Sequence, residues 1–116
     1  MKQSQAEILS INLNEMMNER GAIGLKLMRN KRMIDDELQE YYQFKEELFK
    51  KYGEGKKFID PESENGKLFL EEVMPIAEME VNFDFRKITE DELAQSNLTA
   101  NQMAVIWEWM VDDGNS

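Results

Sequence analysis

The sequence predicts an α+β fold that is mostly helical, with a long central helix and a small antiparallel β element. Apolar residues recur at alternating steps of four and three between residues 25 and 52, the spacing of a helix with one apolar stripe. Residues 80–86 alternate apolar and polar side chains with period two, which indicates a strand. The length of 116 residues fits one domain, which we place over residues 1–116.

The first helix is predicted over residues 5–19. Ser4 and Glu7 have the spacing of a capping box, in which both side chains bind free amides at a helix start. The apolar face of this helix consists of Leu9, Leu13, Met16 and Met17. Gly21 and Gly24 interrupt the pattern, so we expect a turn or a tight corner there.

The long central helix is predicted over residues 25–52 and is ended by Gly53. Its apolar stripe consists of Leu27, Ile34, Leu38, Tyr41, Leu48 and Tyr52. With a rise of about 1.5 Å per residue, the helix would be roughly 40 Å long. A small domain cannot cover that length, so this helix should pack on the first helix, on the last helix or on another chain.

Residues 54–66 form a polar segment that we interpret as a loop, in which residues 57–59 could form a short strand. A helix is predicted over residues 67–74, and Pro75 should kink or end it because proline lacks the amide proton. Its inward residues are expected to be Leu68, Leu70 (or Phe69), Val73 and Met74.

Two further capping boxes predict the last helical segments. Thr89 and Glu92 open a short turn, and Thr99 and Gln102 open a final helix that ends at residues 112–114. One face of the final helix consists of Met103, Ile106, Trp107 and Met110.

Composition excludes several classes of function. The chain has no histidine and no cysteine, which removes disulfides, thiolate nucleophiles, the usual zinc sites and the commonest general base. It contains no apolar run of the ~18 residues that a membrane span needs. The net charge of −10 argues against direct binding of nucleic acid. We therefore expect a soluble, intracellular protein that is not an enzyme, with no cofactor and no membrane partner.

Charge is unevenly distributed along the chain. Residues 20–57 hold ten basic and seven acidic residues, whereas residues 58–116 hold three basic and fourteen acidic residues. The basic excess is sharpest at Lys26, Arg29, Lys31 and Arg32. These cations could contact phosphate or an acidic partner, or they could pair with the acidic second half of the same chain.

Residues 60–66, followed by Glu71 and Glu72, have some of the acidic spacing of an EF-hand calcium loop. Gly66 lies one place too late for the sharp turn of such a loop, so we predict an acidic surface loop and no metal site. Adjacent carboxylates elsewhere, such as Glu46 and Glu47 with lysines four residues later, are typical of solvated helix faces.

Trp107 and Trp109 flank Glu108 and diverge around a helix, so both cannot be in the core. Trp107 follows the apolar stripe, and we therefore expect Trp109 to be partly exposed and to serve as an interface anchor. The predicted partner-binding surface consists of Asp84, Glu90, Asp91, Glu92, Glu108, Trp109, Asp112 and Asp113.

Three segments together resemble a family of small uncharacterised phage and prophage proteins: LKLMRNKRMIDDELQEYYQFKEELFKKYGEGK, EVNFDFRKIT and LTANQMAVIWEWM. The resemblance covers about residues 22–111, and it implies a phage context and the cytoplasm of a bacterial host. It transfers no catalytic residue. Pro75 and the paired tryptophans depart from the family pattern.

The leading hypothesis is a non-catalytic, phage-encoded protein that inhibits a host defence nuclease of the CRISPR type. Its acidic face would occupy the basic nucleic-acid-binding surface of that host protein. The alternative is a virion or tail-assembly protein that self-associates, as a homodimer or larger oligomer, with Tyr41 and Leu48 at the seam. A third hypothesis, an enzyme that uses a divalent ion near Glu71, predicts tight metal binding.

Overall fold

The structure, a computed structural model, describes residues 1–112. The described part is mostly helical and contains a two-stranded sheet. In chain order its elements are α1 (Gln3–Asn14), α2 (Gly21–Glu37), α3 (Gln39–Gly53), α4 (Glu64–Ala77), β1 (Ile88–Thr89), α5 (Glu90–Ala94), α6 (Ala100–Met110) and β2 (Val111–Asp112).

Helix α1 begins one residue before Ser4, so the predicted capping box at residues 4–7 is wrong. The backbone amide of Lys2 donates instead to the side chain of Gln5, at 2.8 Å. The carboxylate of Glu7 lies 2.7 Å from the ammonium of Lys45 on α3, which removes it from the helix start. Tertiary pairing therefore overrides the local capping signal.

The corner between α1 and α2 lies at residues 15–20, just before the predicted position. Gly21 has a φ of 72° and begins α2, a conformation that glycine adopts without strain. Gly24 lies inside α2, where a Cβ atom would collide with the carbonyl oxygen of Glu19. The two glycines thus allow the chain to fold back tightly after the corner.

The predicted long helix is two helices, α2 and α3, which meet at Leu38. Backbone hydrogen bonds continue on both sides of the break, from Leu38 N to Ile34 O and from Tyr42 N to Leu38 O, each at 2.9 Å. The break is therefore confined to one residue. Leu38 is fully buried in the core, whereas α3 continues beyond the core to pack along α4.

Helices α3 and α4 form a hairpin that lengthens the molecule to 50 Å along its main axis. The rings of Phe49 and Phe69 meet edge to face at 6.4 Å across this hairpin. Tyr41 and Leu48 are buried, with 5% and 7% of their surface exposed. The seam that we predicted for self-association is thus already covered within the chain.

Helix α4 begins at Glu64, with Ser63 as its N-cap, and continues through Pro75 to Ala77, so Pro75 does not end it. Residues 57–59 do not form the short strand that was suggested. Val73 faces inward as expected, and Phe69, the alternative to Leu70, is half-buried against Phe49. The prediction is wrong for three of the residues expected to face inward. The exposed ones are Leu68, Leu70 and Met74.

The core lies between α1, α2 and α6 and the segments that follow α4. Helices α1 and α2 contribute the largest part of it, and Ile106 and Met110 from α6 are fully buried. The part of the chain between α4 and α6 contributes Phe85, Ile88, Leu93 and Leu98. At the hydrophobic gain of about 25 cal/mol per Å² of apolar surface buried, this cluster supplies the main stabilisation of the domain.

The β element is parallel, so the predicted antiparallel pairing is wrong. Ile88 pairs with Val111 and Thr89 pairs with Asp112. Residues 80–86 show the predicted alternation, with Phe85 buried and its neighbours exposed, but they form no ladder apart from an isolated antiparallel bridge at Glu80. Their backbone bonds instead with other parts of the chain; Val81 N, for example, donates to Met1 O at 2.8 Å.

Both C-terminal capping boxes are confirmed at Thr89–Glu92 and Thr99–Gln102. Helix α6 ends at Met110, earlier than predicted, because Val111 adopts an extended conformation and enters β2. Within residues 1–112, none of the helices combines the length and the apolar character that a membrane span requires.

The two tryptophans are placed the other way round from the prediction. Trp107 is exposed over 42% of its surface, whereas Trp109 is half-buried and packs against the core. The inward face of α6 is centred on Ile106 and Met110, and at 100° per residue Trp107 and Trp109 lie on opposite sides of it at about the same angle. The side that holds Trp109 also holds Val105, and both residues pack against the core.

Candidate functional site

The predicted acidic residues come from three segments that the fold brings close together. Segment 81–87 holds Asp84, the first turn of α5 holds Glu90 and Asp91, and α6 holds Glu108. The β1–β2 pairing joins the start of α5 to the end of α6. We call Asp84, Glu90, Asp91 and Glu108 the acidic set.

Asp84 is exposed because its neighbours turn inward. Phe83 and Phe85 stack with their ring centroids 5.1 Å apart, and Phe85 is buried in the core. The segment is fixed by Asn30 on α2, whose side-chain oxygen accepts from Arg86 N at 2.8 Å. The position of Asp84 is therefore held from both sides along the backbone.

Glu90 and Asp91 occupy the first helical turn of α5, where negative charge is favoured by the free amides of the helix start. Both side chains are exposed, and neither forms a hydrogen bond or an ion pair with any residue in the range 1–112. The capping box formed by Thr89 and Glu92 fixes this turn.

Glu92 differs from its neighbours because its carboxylate is used within the chain. It accepts from Thr89 N at 3.0 Å and from the ammonium of Lys26 at 2.7 Å. The Lys26 ammonium and the Thr89 amide hold the pKa of the Glu92 carboxyl below its ordinary value. Glu92 is thus a structural residue, and we remove it from the surface available to a partner.

Glu108 is exposed on α6 and lines a cleft of about 220 Å³ together with Trp109, Phe83 and Lys87. The ammonium of Lys87 donates to the carbonyl oxygen of Trp109 at 3.2 Å, which ties segment 81–87 to the end of α6. Trp109 therefore serves as a wall of this cleft rather than as a protruding anchor.

Asp112 lies in β2 beside Thr89, is partly buried and interacts within the chain. Asp113, also predicted for this surface, lies outside the described residues. The part of the predicted site that remains exposed and unpaired in the described range is the acidic set.

The basic segment of α2 contains two cations that pair with carboxylates of this chain and two that bind no group in the described range. Lys26 pairs with Glu92, and Lys31 lies 2.6 Å from Asp35 on the same helix. Arg29 and Arg32 are exposed and bind no other side chain or backbone group among residues 1–112. Pairing with the acidic second half of the chain is thus confirmed for Lys26 alone, whereas contact of Arg29 and Arg32 with a partner stays a prediction.

The acidic loop before α4 has a structural explanation. Glu62 N donates to the carboxylate of Asp60 at 2.9 Å, and Gly66 N donates to Ser63 Oγ at 3.0 Å. A Cβ atom at Gly66 would collide with the carbonyl oxygen of Asp60, which explains this glycine as a helix-start residue. No group of three acidic residues in the range 1–112 is arranged to hold a metal ion.

A larger cleft of about 450 Å³ lies at the far end of the α3–α4 hairpin, between Tyr52, Ile59 and Asn65. None of the predicted site residues lines it. Comparison of the chain with family models, with curated proteins and with solved structures finds no match.

Proposed function

We propose that this chain is a non-catalytic, phage-encoded binding protein that inhibits a host defence nuclease of the CRISPR type. Its acidic set, Asp84, Glu90, Asp91 and Glu108, would occupy the basic surface on which that nuclease binds nucleic acid. The observation that carries the proposal is that these four carboxylates are exposed and have no partner within residues 1–112.

Preorganisation supports this role. Asp84 lies on a segment clamped by Asn30, and Glu90 and Asp91 follow a capped helix start. Carboxylates held in this way bind cations with a smaller loss of side-chain and loop entropy than carboxylates on a mobile segment. A rigid acidic surface also attracts a basic partner at long range and accelerates association.

The same geometry favours binding over catalysis. Acid–base catalysis uses two carboxylates whose environments differ, so that one is protonated while the other is charged. All four carboxylates of the acidic set are exposed to solvent. Their common environment suits electrostatic recognition, in which every group carries the same charge.

A competition experiment tests the proposal. Guide-loaded CRISPR nucleases of several types are incubated with labelled target DNA and increasing amounts of this protein, at ~0.1 M and ~0.5 M salt. We expect DNA to be displaced from one of these nucleases at the lower salt concentration. Displacement should weaken sharply at the higher concentration because salt screens the attraction.

The acid-neutralised variant D84N/E90Q/D91N/E108Q should lose the competition. The matched control is E37Q/E47Q/E62Q/E71Q, which removes the same number of exposed, unpaired carboxylates from elsewhere on the chain. If both variants compete equally, total charge rather than the acidic set determines binding. If the wild-type protein displaces DNA from none of the nucleases, the proposed target class is wrong.

A further inference from the structure

Helix α2 presents an outward side that mixes apolar and cationic residues. We call it the α2 outer face, and it consists of Leu25, Met28, Arg29 and Arg32. These positions follow the i, i+3, i+4, i+7 spacing of one helix side. The opposite side carries the buried residues of this helix, which are Ile23, Leu27, Asn30 and Ile34.

The apolar part of this face is uncovered, since Leu25 is 44% and Met28 39% exposed. Its cationic part is unpaired, because Arg29 and Arg32 contact no acidic group in residues 1–112. A partner that covers this face must therefore offer both acidic and apolar groups, and a chain of net charge −10 is rich in acidic groups.

The complementary charges lie on the neighbouring helix. The 2.7 Å ion pair between Lys26 and Glu92 places the first turn of α5 directly against α2. Glu90 and Asp91 in that turn are exposed and unpaired within the described range. One cation–carboxylate pair is thus completed inside the chain, and two arginines and two carboxylates remain open beside it.

We propose that the α2 outer face binds a second copy of this chain in a two-fold symmetric dimer. In such a dimer, Arg29 and Arg32 of each copy meet Glu90 and Asp91 of the other, and every contact occurs twice. Arginine forms paired hydrogen bonds with carboxylates, which gives the contact a defined geometry. Leu25 and Met28 lie between the charged groups and lose their contact with water.

A second copy fits better than nucleic acid. Leu25 and Met28 make up the N-terminal half of the face, where a phosphate backbone would offer them no apolar surface. The net charge of −10 also repels a polyanion. The same net charge opposes association of two copies, so we expect a weak dimer that depends on protein concentration.

This dimer would differ from the oligomer considered for the central helix, because Tyr41 and Leu48 are buried within the chain. It does not rest on the proposed inhibitory function. The two uses of Glu90 and Asp91 exclude each other, so a basic partner in excess should dissociate the dimer.

Sedimentation equilibrium of the full chain over a wide range of protein concentration tests the proposal. We expect a monomer–dimer equilibrium at ~0.1 M salt that shifts towards monomer at ~0.5 M salt, where the screening length falls to about 4 Å. The variants R29E/R32E and E90R/D91R should each be monomeric, since like charges then face each other.

An equimolar mixture of R29E/R32E and E90R/D91R should dimerise again, because both sets of contacts then join opposite charges. K56E/K57E is the matched control, since it reverses two exposed lysines at the hairpin tip and should dimerise like the wild type. Circular dichroism confirms that each variant is folded, and L25S provides a second variant that weakens the dimer without changing charge.

A wild type that is monomeric at every concentration at low salt would overturn the proposal. So would a dimer that survives R29E/R32E, or a mixture of the two charge-reversed variants that stays monomeric. None of these results bears on DNA displacement, so the dimer and the inhibitory function can fail separately.

Discussion

The side-chain amide of Asn30 forms two hydrogen bonds with the backbone of Arg86. Arg86 N donates to Asn30 Oδ1 at 2.8 Å, and Asn30 Nδ2 donates to Arg86 O at 3.1 Å. Asn30 is fully buried in α2. Its side chain binds the amide and the carbonyl of Arg86, the two backbone groups that a neighbouring strand would otherwise bind. Asn30 is therefore one of the residues that attach the segment presenting Asp84 to the core, and it supplies both a donor and an acceptor.

Replacing Asn30 with leucine should destabilise the protein by about 2–4 kcal/mol. Both backbone groups of Arg86 would lose their partners, and each unsatisfied buried polar group costs about 1–3 kcal/mol. Urea unfolding followed by circular dichroism measures the change. Arg86→Ala is the control, because the exposed side chain can be removed without affecting the two backbone bonds. Equal stability of N30L and the wild type would contradict this role.

Lowering the pH should reduce the free energy of unfolding, and part of this reduction should come from Glu92. Lys26 and the Thr89 amide lower the pKa of the Glu92 carboxyl in the folded state. Glu92 therefore adds to the free energy of unfolding above the unfolded pKa near 4.5, and this addition is lost as the pH falls through the folded pKa. Glu92→Gln keeps an oxygen that can accept from Thr89 N but removes the charge. The stability difference between wild type and E92Q should therefore shrink as the pH falls below about 4.5. A difference that is constant with pH would show that the ion pair contributes nothing.

The features predicted correctly are those decided within a few residues. The boxes at Thr89–Glu92 and Thr99–Gln102 need only a side chain and an amide three residues apart. The break at Leu38 has no such local signal, since the apolar stripe runs through it without interruption. On the two sides of the break the helices pack on different partners, α2 on α1 and α3 on α4, and α4 comes from a distant part of the chain. The parallel pairing of β1 was equally inaccessible, because the alternating pattern at residues 80–86 ends before β1 and predicts which side chains are buried, not which backbone segments pair.

The candidate site was predictable in composition but not in detail. Four of the predicted residues are exposed, as is usual for charged side chains: Asp84, Glu90, Asp91 and Glu108. The sequence could not separate Glu92 from them, because its partner Lys26 lies 66 residues away. Asn30 was missed, although a polar residue within the apolar stripe of α2 is the signal that could have found it.

Pro75→Ala should stabilise the protein. Pro75 is exposed and lies inside α4, where it removes a helical hydrogen bond and crowds the preceding turn. Alanine restores the bond, and the entropy that the unfolded chain regains offsets about 0.4–1 kcal/mol of this gain. We expect a net gain of about 1–2 kcal/mol in urea unfolding. Pro61→Ala, outside any helix, should give no gain, and a gain of the same size there would contradict the explanation.

Trp107 and Trp109 should respond differently to replacement by phenylalanine. Trp109 packs against the core, so W109F should cost about 1–2 kcal/mol, whereas W107F at an exposed position should change stability by less than about 0.5 kcal/mol. Fluorescence separates the two residues because each variant retains one tryptophan. W109F, which retains the exposed Trp107, should emit at longer wavelength and be quenched more strongly by acrylamide than W107F. The opposite order would mean that α6 is rotated and that Trp109 protrudes. It would then also return Trp109 to the set of candidate partner contacts beside Glu108.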